Sequence, residues 1–214
     1  MNILIAAATP IEITPLLTEL RKGKFDSLEL DVLITGIGLT ATTFSLMEQF
    51  RIKRPGLVIQ AGVGGCFDKN IPLGKVVAVK METIADQSVI ELNKLKTLFD
   101  LKLVPQDQFP FKRGWLVNNS PHLKKVKLKK VIGISVNEIT TSPEKVKFYR
   151  KKFNPVIESM EGAALYYVCL KEKIPFIQIR AVSNYIAERN KKNWNMKESI
   201  ENLNKELITI INNY

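Results

Sequence analysis

The stretch Val156-Ile157-Glu158-Ser159-Met160-Glu161-Gly162-Ala163-Ala164 sets the pattern of the fold, because an apolar strand end runs directly into small residues that can begin a helix. Small residues at a helix start let a backbone or a ligand approach closely, and the helix N-terminus favours an anion beside it. Glu161 at this junction could therefore stay ionised and accept two hydroxyl hydrogen bonds, as a ribose diol requires. Met160 could form a soft apolar floor for the sugar. Glu161 could also simply cap its own helix, and the segment by itself slightly favours that interpretation.

Outward from this junction, short apolar runs alternate with helical patterns. Short apolar runs bounded by turn signals are typical of buried parallel strands. The alternation predicts an α/β fold, a central mixed and mostly parallel sheet flanked by helices. Without an internal repeat or a linker, residues 1–214 are predicted to form a single domain. The predicted strands are 2–8, 30–35, 57–61, 74–81, 131–136 and 176–182, and the predicted helices are 39–51, 142–152, 161–172 and one capped by Asn195.

Two regions carry weaker patterns. Residues 84–121 are predicted to be loops around a site or a partner surface. The alternation of Val126 and Leu128 with lysines predicts a strand whose lysines face outward. Pro15 disturbs the first helical pattern, so that helix should kink or begin late.

Composition excludes several classes of protein. No apolar run approaches the roughly 20 residues that cross a bilayer, and no signal peptide is recognisable, so we expect a cytoplasmic protein without a membrane partner. The two cysteines, Cys66 and Cys169, have no metal-ligand spacing, so no metal site is predicted. The net charge of +11 attracts nucleic acid, membranes or small anions without specifying which. The lysine clusters, including Arg189-Asn190-Lys191-Lys192, lack a nucleic-acid recognition module and are predicted to be solvated faces.

Polar and glycine-rich signals follow most of the predicted strands, where ligands of α/β sheets bind. Gly62-Val63-Gly64-Gly65 could let a backbone approach a sugar or base, and a plain tight turn is an equal alternative. Glu12 forms a capping box with Thr9, and on local grounds the cap is favoured. Asn184 after Ser183 is commonly turn chemistry. The complete set of strand-end signals is Thr9–Glu12, Gly36–Gly38, Ala61–Gly65, Asn137–Thr141 and Ser183-Asn184.

Taken together, four motifs resemble the nucleoside phosphorylase/nucleosidase superfamily: Ala7-Ala8-Thr9-Pro10-Ile11-Glu12, Ala61-Gly62-Val63-Gly64-Gly65, Ser159-Met160-Glu161-Gly162-Ala163-Ala164 and Arg180-Ala181-Val182-Ser183-Asn184. The resemblance covers nearly the whole chain in order and implies an N-glycosyl hydrolase of purine nucleosides. It implies that Glu12 positions the attacking water and that Glu161 holds the ribose hydroxyls. It also implies a homodimer or higher homo-oligomer and no cofactor. The substrate-binding residues expected beside Glu161 are Met160, Ser159, Gly64, Ser183, Val136 and Ile139.

Asn184 departs from one branch of this superfamily. The methylthioadenosine/S-adenosylhomocysteine nucleosidases have an aspartate there, which can donate to purine N7 and accept from the 6-amino group of adenine. An asparagine amide can donate to O6 or N7, which suits a 6-oxopurine, but it cannot transfer a proton. Asn184 and the segment Tyr185-Ile186-Ala187-Glu188-Arg189-Asn190 with Trp194 most resemble the futalosine hydrolases of menaquinone biosynthesis, which release hypoxanthine. An adenine-releasing nucleosidase, acting on methylthioadenosine, S-adenosylhomocysteine or aminodeoxyfutalosine, and a purine nucleoside phosphorylase are the alternatives.

Overall fold

The computed structural model describes residues 2–23, 25, 28–186, 192 and 194–214. Its strands are β1 Ile3–Ala7, β2 Leu30–Ile34, β3 Leu57–Cys66, β4 Val76–Glu82, β5 Ser88–Glu91, β6 Lys94–Thr97, β7 Phe111–Lys112, β8 Trp115–Val117, β9 Lys130–Ser135, β10 Ile157–Ser159 and β11 Phe176–Tyr185. Its helices are α1 Thr14–Arg21, α2 Leu39–Ile52, α3 Pro121–Lys125, α4 Pro143–Phe153, α5 Gly162–Lys171 and α6 Met196–Ile211, and a 3₁₀ turn spans Pro10–Ile13.

The helix starts follow local chemistry. Helix α1 begins late, at Thr14, which places Pro15 in the first turn where its missing N–H costs nothing. Helix α4 begins after Ser142, whose hydroxyl oxygen accepts a hydrogen bond from the Lys145 amide at 3.4 Å. Both starts agree with the sequence prediction.

Strand β3 organises the sheet. Within the described residues, nine strands join in the order β2-β1-β3-β10-β9-β4-β8-β7, and β11 pairs with both β3 and β4. Strands β3, β10, β9, β4 and β11 therefore close into a ring. The pairs β1–β2, β1–β3, β3–β11, β9–β10 and β4–β9 are parallel, whereas β3–β10, β4–β11, β4–β8 and β7–β8 are antiparallel. The predicted α/β class with a mixed sheet is confirmed.

The two faces of β11 point into different parts of the core. Ile177, Ile179 and Ala181 pack with Leu203 and Leu207 of α6. Successive side chains of a strand point to opposite faces, so Gln178 and Arg180 face the other side, where α2 and α5 cover the sheet. This face of the sheet thus carries buried polar side chains among apolar ones.

Strand β3 is longer than predicted. It continues through Gly62-Val63-Gly64-Gly65 to Cys66, so the tight-turn alternative is wrong. The backbone of this extension is paired on both sides, with β11 from Arg180 to Tyr185 and with β10 at Ile157 and Glu158. Pairing with two strands keeps a glycine-rich segment extended.

Two weaker predictions are wrong. Residues 84–121 contain the hairpin β5–β6, the hairpin β7–β8 and the first residue of α3 rather than loops alone. Val126 and Leu128 do pack inward between exposed lysines, as the alternation indicates, but they precede β9, which begins at Lys130. The predicted alternation of inward-facing and exposed residues was therefore correct, but the strand itself begins only at Lys130. A bilayer-crossing helix is absent from the described residues, since none is both long and apolar enough.

Candidate active site

Glu12 lies in the 3₁₀ turn after β1, and its carboxylate is buried. Its Oε2 accepts hydrogen bonds from the Thr9 amide at 3.0 Å and from the Thr9 hydroxyl at 3.2 Å. Its Oε1 accepts one from the Val63 amide of β3 at 3.0 Å. Burial raises the pKa of Glu12, and the Arg180 charge opposes this shift. Glu12 therefore closes its own turn, as the capping box predicts, and also reaches the end of β3.

Arg180 connects the two predicted carboxylates. Its guanidinium is 1 % exposed, and Nη2 lies 3.4 Å from Glu161 Oε2 and 2.8 Å from Gln60 Oε1. A Cβ on Gly62 would come within 2.2 Å of Arg180 Nη1 and 2.9 Å of Glu12 Oε1. The missing side chain of Gly62 is what makes room for the arginine between the two acids.

Glu161 occupies the N-cap position of α5 without capping the helix through its side chain. Its Oε1 instead accepts a hydrogen bond from the Gly38 amide at 3.2 Å. The first amide of α5, at Gly162, donates to Ser159 Oγ at 3.2 Å. The simple capping interpretation of Glu161 is therefore wrong. Ser159 performs that task, which leaves the Glu161 carboxylate directed at Arg180 and Gly38.

Asn184 lies near the end of β11 and is oriented by its neighbour. Ser183 Oγ donates to Asn184 Oδ1 at 2.9 Å and lies 3.3 Å from the carbonyl oxygen of Gly64. Asn184 Nδ2 donates to the Tyr185 carbonyl at 3.3 Å, which uses one of its two protons. The amide nitrogen is therefore the side of Asn184 that has a proton left for a ligand.

The end of β3 relates these side chains to one another. Val63 binds Glu12, Gly64 contacts Ser183, and Gly65 is the register partner of Asn184. Strand residues rise by roughly 3.3 Å, so the Val63 and Gly65 positions are about 7 Å apart. Glu12 and Glu161 thus both lie near Arg180. Asn184, on β11, lies beside the same end of β3.

The other predicted substrate-binding residues differ in how far they are exposed to solvent. Met160, beside Glu161, is half-buried. Val136 is fully buried in the core, whereas Ile139 is 37 % exposed. Between these two residues, Asn137 lines a large neighbouring cavity.

That cavity has a volume of about 710 Å³ and lies between α2, α5 and the segment from β5 to β7. Ala163 and Ala164, the residues after Gly162, belong to its wall, so it adjoins the Glu161 end of the site. Glu12, Glu161 and Asn184 are not among its lining residues. The wall is mainly apolar and includes Leu39, Phe44, Met47, Phe99, Phe111 and Tyr167.

Two residues of the site were not predicted from the sequence. Arg180 belongs to the motif Arg180-Ala181-Val182-Ser183-Asn184, and a charged residue within a mainly apolar strand was the available signal. Gly38 was noted only as part of a dinucleotide-like pattern, and its contact with Glu161 spans 123 residues of sequence. Residues 187–191 and 193, which carry part of the pattern after Asn184 and the Arg189–Lys191 cluster, lie outside the described residues.

Groups of three or more His, Cys, Asp or Glu side chains that could hold a metal ion do not occur among the described residues. Cys66 and Cys169 are both buried free thiols.

Known proteins with similar sequences include one named a futalosine hydrolase and several named nucleosidases. The chain is 26% identical over 172 residues to a futalosine hydrolase of Thermus thermophilus, covering 79% of this chain and 75% of that protein. It is 24% identical over 189 residues to a 5′-methylthioadenosine/S-adenosylhomocysteine nucleosidase of Buchnera aphidicola, covering 84% of this chain and 76% of that protein.

Solved structures show the same fold. The futalosine hydrolase of Helicobacter pylori superimposes with a TM-score of 0.82 at 21% identity, covering 100% of this chain and 98% of that chain. The 5′-methylthioadenosine/S-adenosylhomocysteine nucleosidase of Neisseria meningitidis, solved with methylthio-immucillin-A, superimposes with a TM-score of 0.81 at 20% identity, covering 100% and 99%. A family model described as the phosphorylase superfamily matches residues 5–212. The chain belongs to the phosphorylase superfamily.

Proposed function

We propose that this protein hydrolyses the N-glycosidic bond of futalosine, releasing hypoxanthine and dehypoxanthine futalosine for menaquinone biosynthesis. Its relatives are N-glycosyl hydrolases of purine nucleosides, and the chain is an enzyme of that class. The choice of futalosine among the possible nucleosides rests on the residue that faces the base.

The orientation of the Asn184 amide is the observation that carries this choice. Ser183 donates to Asn184 Oδ1, and Asn184 Nδ2 keeps one proton after its bond to the Tyr185 carbonyl, so the amide can donate a hydrogen bond to a ligand. An N–H donor matches the O6 or N7 acceptor of a 6-oxopurine such as hypoxanthine. Adenine carries an amino group at that place and would require an acceptor. The site therefore favours a hypoxanthine nucleoside.

Glu12 is the residue that acts on water. Its carboxylate is held on one side by Thr9 and on the other by Val63, so its position is fixed before a substrate binds. Burial raises the pKa of Glu12, which makes the carboxylate a stronger base toward a water molecule at the anomeric carbon.

Glu161 acts on the sugar. Its negative charge, oriented by Arg180 and the Gly38 amide, accepts the ribose hydroxyl hydrogen bonds and favours the positive charge that develops on the sugar. Asn184 holds the departing base by hydrogen bonding and leaves its protonation to water, because an amide cannot transfer a proton.

A 5′-methylthioadenosine/S-adenosylhomocysteine nucleosidase is the second candidate, and the cavity favours it. Among the described residues, those that line the cavity include no lysine or arginine, so this part of the wall offers no counterion for the benzoate that futalosine carries. A thioether substituent would suit such an apolar wall. The Asn184 amide thus favours futalosine, whereas the apolar cavity favours a substrate with a thioether substituent. The released base, hypoxanthine or adenine, distinguishes the two.

Phosphorolysis is the third possibility within this superfamily. A phosphate that attacks the anomeric carbon would meet the Glu12 carboxylate, and like charges repel. We therefore expect hydrolysis to be faster than phosphorolysis, and a sugar product with a free anomeric hydroxyl rather than a 1-phosphate.

A panel of futalosine, aminodeoxyfutalosine, methylthioadenosine and inosine, with and without phosphate, tests the assignment. The proposal expects hypoxanthine from futalosine as the fastest reaction, with no stimulation by phosphate. Adenine release from methylthioadenosine without hypoxanthine release from futalosine would replace it by the second candidate.

The expected homodimer or higher homo-oligomer remains part of the proposal. Phe44 is 63 % exposed at the mouth of the cavity, and Tyr167 is exposed beside it. A second copy that covers this face would remove both rings from water. The molar mass in solution, measured by light scattering, should be about twice that of one chain.

A further inference from the structure

A third carboxyl group lies beside the site and has no role in the proposed reaction. Glu82, the last residue of β4, is fully buried. Its Oε1 accepts a hydrogen bond from Gln178 Nε2 at 3.1 Å, and its Oε2 accepts one from Ser135 Oγ at 3.2 Å. Burying an ionisable side chain costs free energy, so a buried glutamate at this position indicates a function.

Glu82 supports the first turn of α5. A Cβ on Gly162 would come within 2.2 Å of Glu82 Oε1 and 2.5 Å of Gln178 Nε2. Ser135 Oγ also accepts a hydrogen bond from the Ala163 amide at 2.8 Å. The helix turn that follows Glu161 therefore rests directly on Glu82 and Gln178, and it is bound to Glu82 through Ser135.

Two glutamines lie between Glu82 and Arg180. Gln60 Oε1 accepts from Arg180 Nη2, and Gln60 is the register partner of Gln178 on the neighbouring strand. Gln60 Nε2 and Gln178 Oε1 are both buried, and neither has a hydrogen-bond partner among the described residues. Glu82, Gln178, Gln60, Arg180 and Glu161 thus form a buried polar row beneath the start of α5. Hydrogen bonds or an ion pair join its neighbours at every step except Gln178–Gln60.

The charges in this row favour a neutral Glu82. Within the described residues, the titratable and charged groups that face it are Arg180 of β11 and Glu161 and Tyr166 of α5. Burial raises the pKa of Glu82 to about 8, against the opposing effects of Gln178, Arg180 and Ser135, and the Glu161 charge adds to the rise. The single cation Arg180 is already paired with Glu161. Ionisation of Glu82 would add a second carboxylate to the same buried row.

We propose that Glu82 is a positioning residue for the reaction: while protonated, it holds the first turn of α5, beside the Arg180–Glu161 pair, so that Glu161 meets the ribose, and loss of its proton disturbs that arrangement. This inference rests on the proposed nucleosidase function, since the disturbed step is ribose binding. Activity should therefore fall on the alkaline side through a higher KM, with kcat less affected.

The pH dependence of kcat/KM, from about pH 6 to pH 10, tests the inference, because it reports the ionisation of groups in the free enzyme. Glu82→Gln copies the shape and the donor of the protonated acid. It should keep its neutral-pH rate within about threefold and lose the alkaline limb, or move it up by about one pH unit or more. Glu201→Gln, an exposed change on α6, is the matched control and should keep the wild-type profile.

Ser135→Ala gives an independent test should Glu82→Gln fail to fold. Removing a donor to the carboxylate favours its protonated form, so the alkaline limb should move to higher pH. An alkaline limb that stays in place in both variants, or in Ser135→Ala alone if Glu82→Gln is unfolded, would overturn the inference while leaving the proposed function intact. A wild-type protein that hydrolyses no nucleoside at any pH would overturn both.

Discussion

At the scale of single residues, the Glu12 carboxylate both stabilises the local fold and is the proposed base of the reaction. The Thr9 bonds close the turn after β1, and the Val63 bond joins that turn to β3. Each oxygen atom is thus held by the backbone, which restricts the carboxylate to one position beside Arg180. Fixing a base in this way reduces the reorganisation needed when a substrate arrives.

Glu12→Gln should lower kcat by about 100-fold or more, because the amide keeps the shape of the side chain but cannot accept a proton from water. Hypoxanthine release measures the loss. The melting temperature should also fall, because the new NH2 group faces the backbone N–H of Thr9 or of Val63 and leaves that donor without its acceptor. The exposed Glu201→Gln serves as the control. A Glu12→Gln protein within about threefold of wild-type activity would remove Glu12 from the mechanism.

Asn184→Asp should change which base is released. A carboxyl group at this position can accept from a 6-amino group and, when protonated, donate to N7, which is the pattern of adenine. We expect the ratio of adenine to hypoxanthine release, as kcat/KM, to rise by about tenfold or more, most strongly at acidic pH. Asn212→Asp, an exposed change after α6, controls for the added charge. An unchanged ratio would show that Asn184 does not face the base.

At the scale of elements, β3 and α6 hold the parts of the site that come from distant parts of the chain. Strand β3 supplies the glycines that accommodate Arg180 and the strand β10 backbone. Helix α6 supplies Asn204, whose Nδ2 donates to the Glu12 carbonyl at 2.8 Å and whose Oδ1 accepts from the Leu16 amide at 3.1 Å. The C-terminal helix therefore fixes the turn that carries Glu12.

Gly62→Ala should damage the site through β3. The new Cβ would overlap Arg180 Nη1, so the arginine must leave its position between the two carboxylates. We expect a stability loss of about 1–3 kcal/mol from overpacking and a fall in kcat/KM larger than this loss explains. Gly56→Ala, at an exposed glycine before β3 whose φ is not positive, should leave both quantities near wild type. Equal behaviour of the two variants would contradict the role assigned to Gly62.

Asn204→Leu should loosen the Glu12 turn from α6. The change leaves a buried carbonyl at Glu12 and a buried amide at Leu16 without partners, which costs about 1–3 kcal/mol. Denaturant unfolding measures that cost, and kcat should fall because Glu12 is no longer fixed. Asn202→Leu is the comparison, since Asn202 lies on the same helix and bonds Gly74 instead. A loss of activity as large in Asn202→Leu would argue against a specific effect on Glu12.

At the scale of the whole molecule, buried acids should make stability depend on pH. Glu82 has its pKa raised from 4.5 to about 8 by burial, so the folded protein binds a proton that the unfolded chain releases. The folded state is then favoured fully below about pH 4.5 and progressively less as pH rises toward about 8. The difference between the two pKa values corresponds to a stability change on the order of 5 kcal/mol.

Urea unfolding at about pH 5, 7 and 9 measures this dependence. Wild type should lose stability with rising pH, and Glu82→Gln should lose much less, because its amide does not titrate. The buried acids Glu12 and Glu158, whose pKa values are also raised by burial, keep part of the dependence in both proteins. Parallel curves for the two proteins would show that Glu82 does not titrate in this range.

Much of the molecule was predictable because short-range chemistry determines it. Apolar runs, helix caps and first-turn prolines placed most strands and helices, and the four motifs named Glu12, Glu161 and Asn184 together. Residues 84–121 could not be read in this way, since β8 pairs with β4 from outside this segment and the hairpin β5–β6 contacts helix α4.

The sequence by itself determined the α/β class, the order of most strands and helices outside residues 84–121, and the identity of the candidate site residues, because hydrophobic period and local capping act between near neighbours. Only the tertiary structure decided that Arg180 pairs with Glu161 near Glu12, that Gly38 rather than a helix cap binds Glu161, and that Glu82 lies beneath α5. These contacts join residues separated by tens of positions or more along the chain. They exist because the closed ring of strands brings β3, β4, β9, β10 and β11 around one interior, which no local pattern specifies.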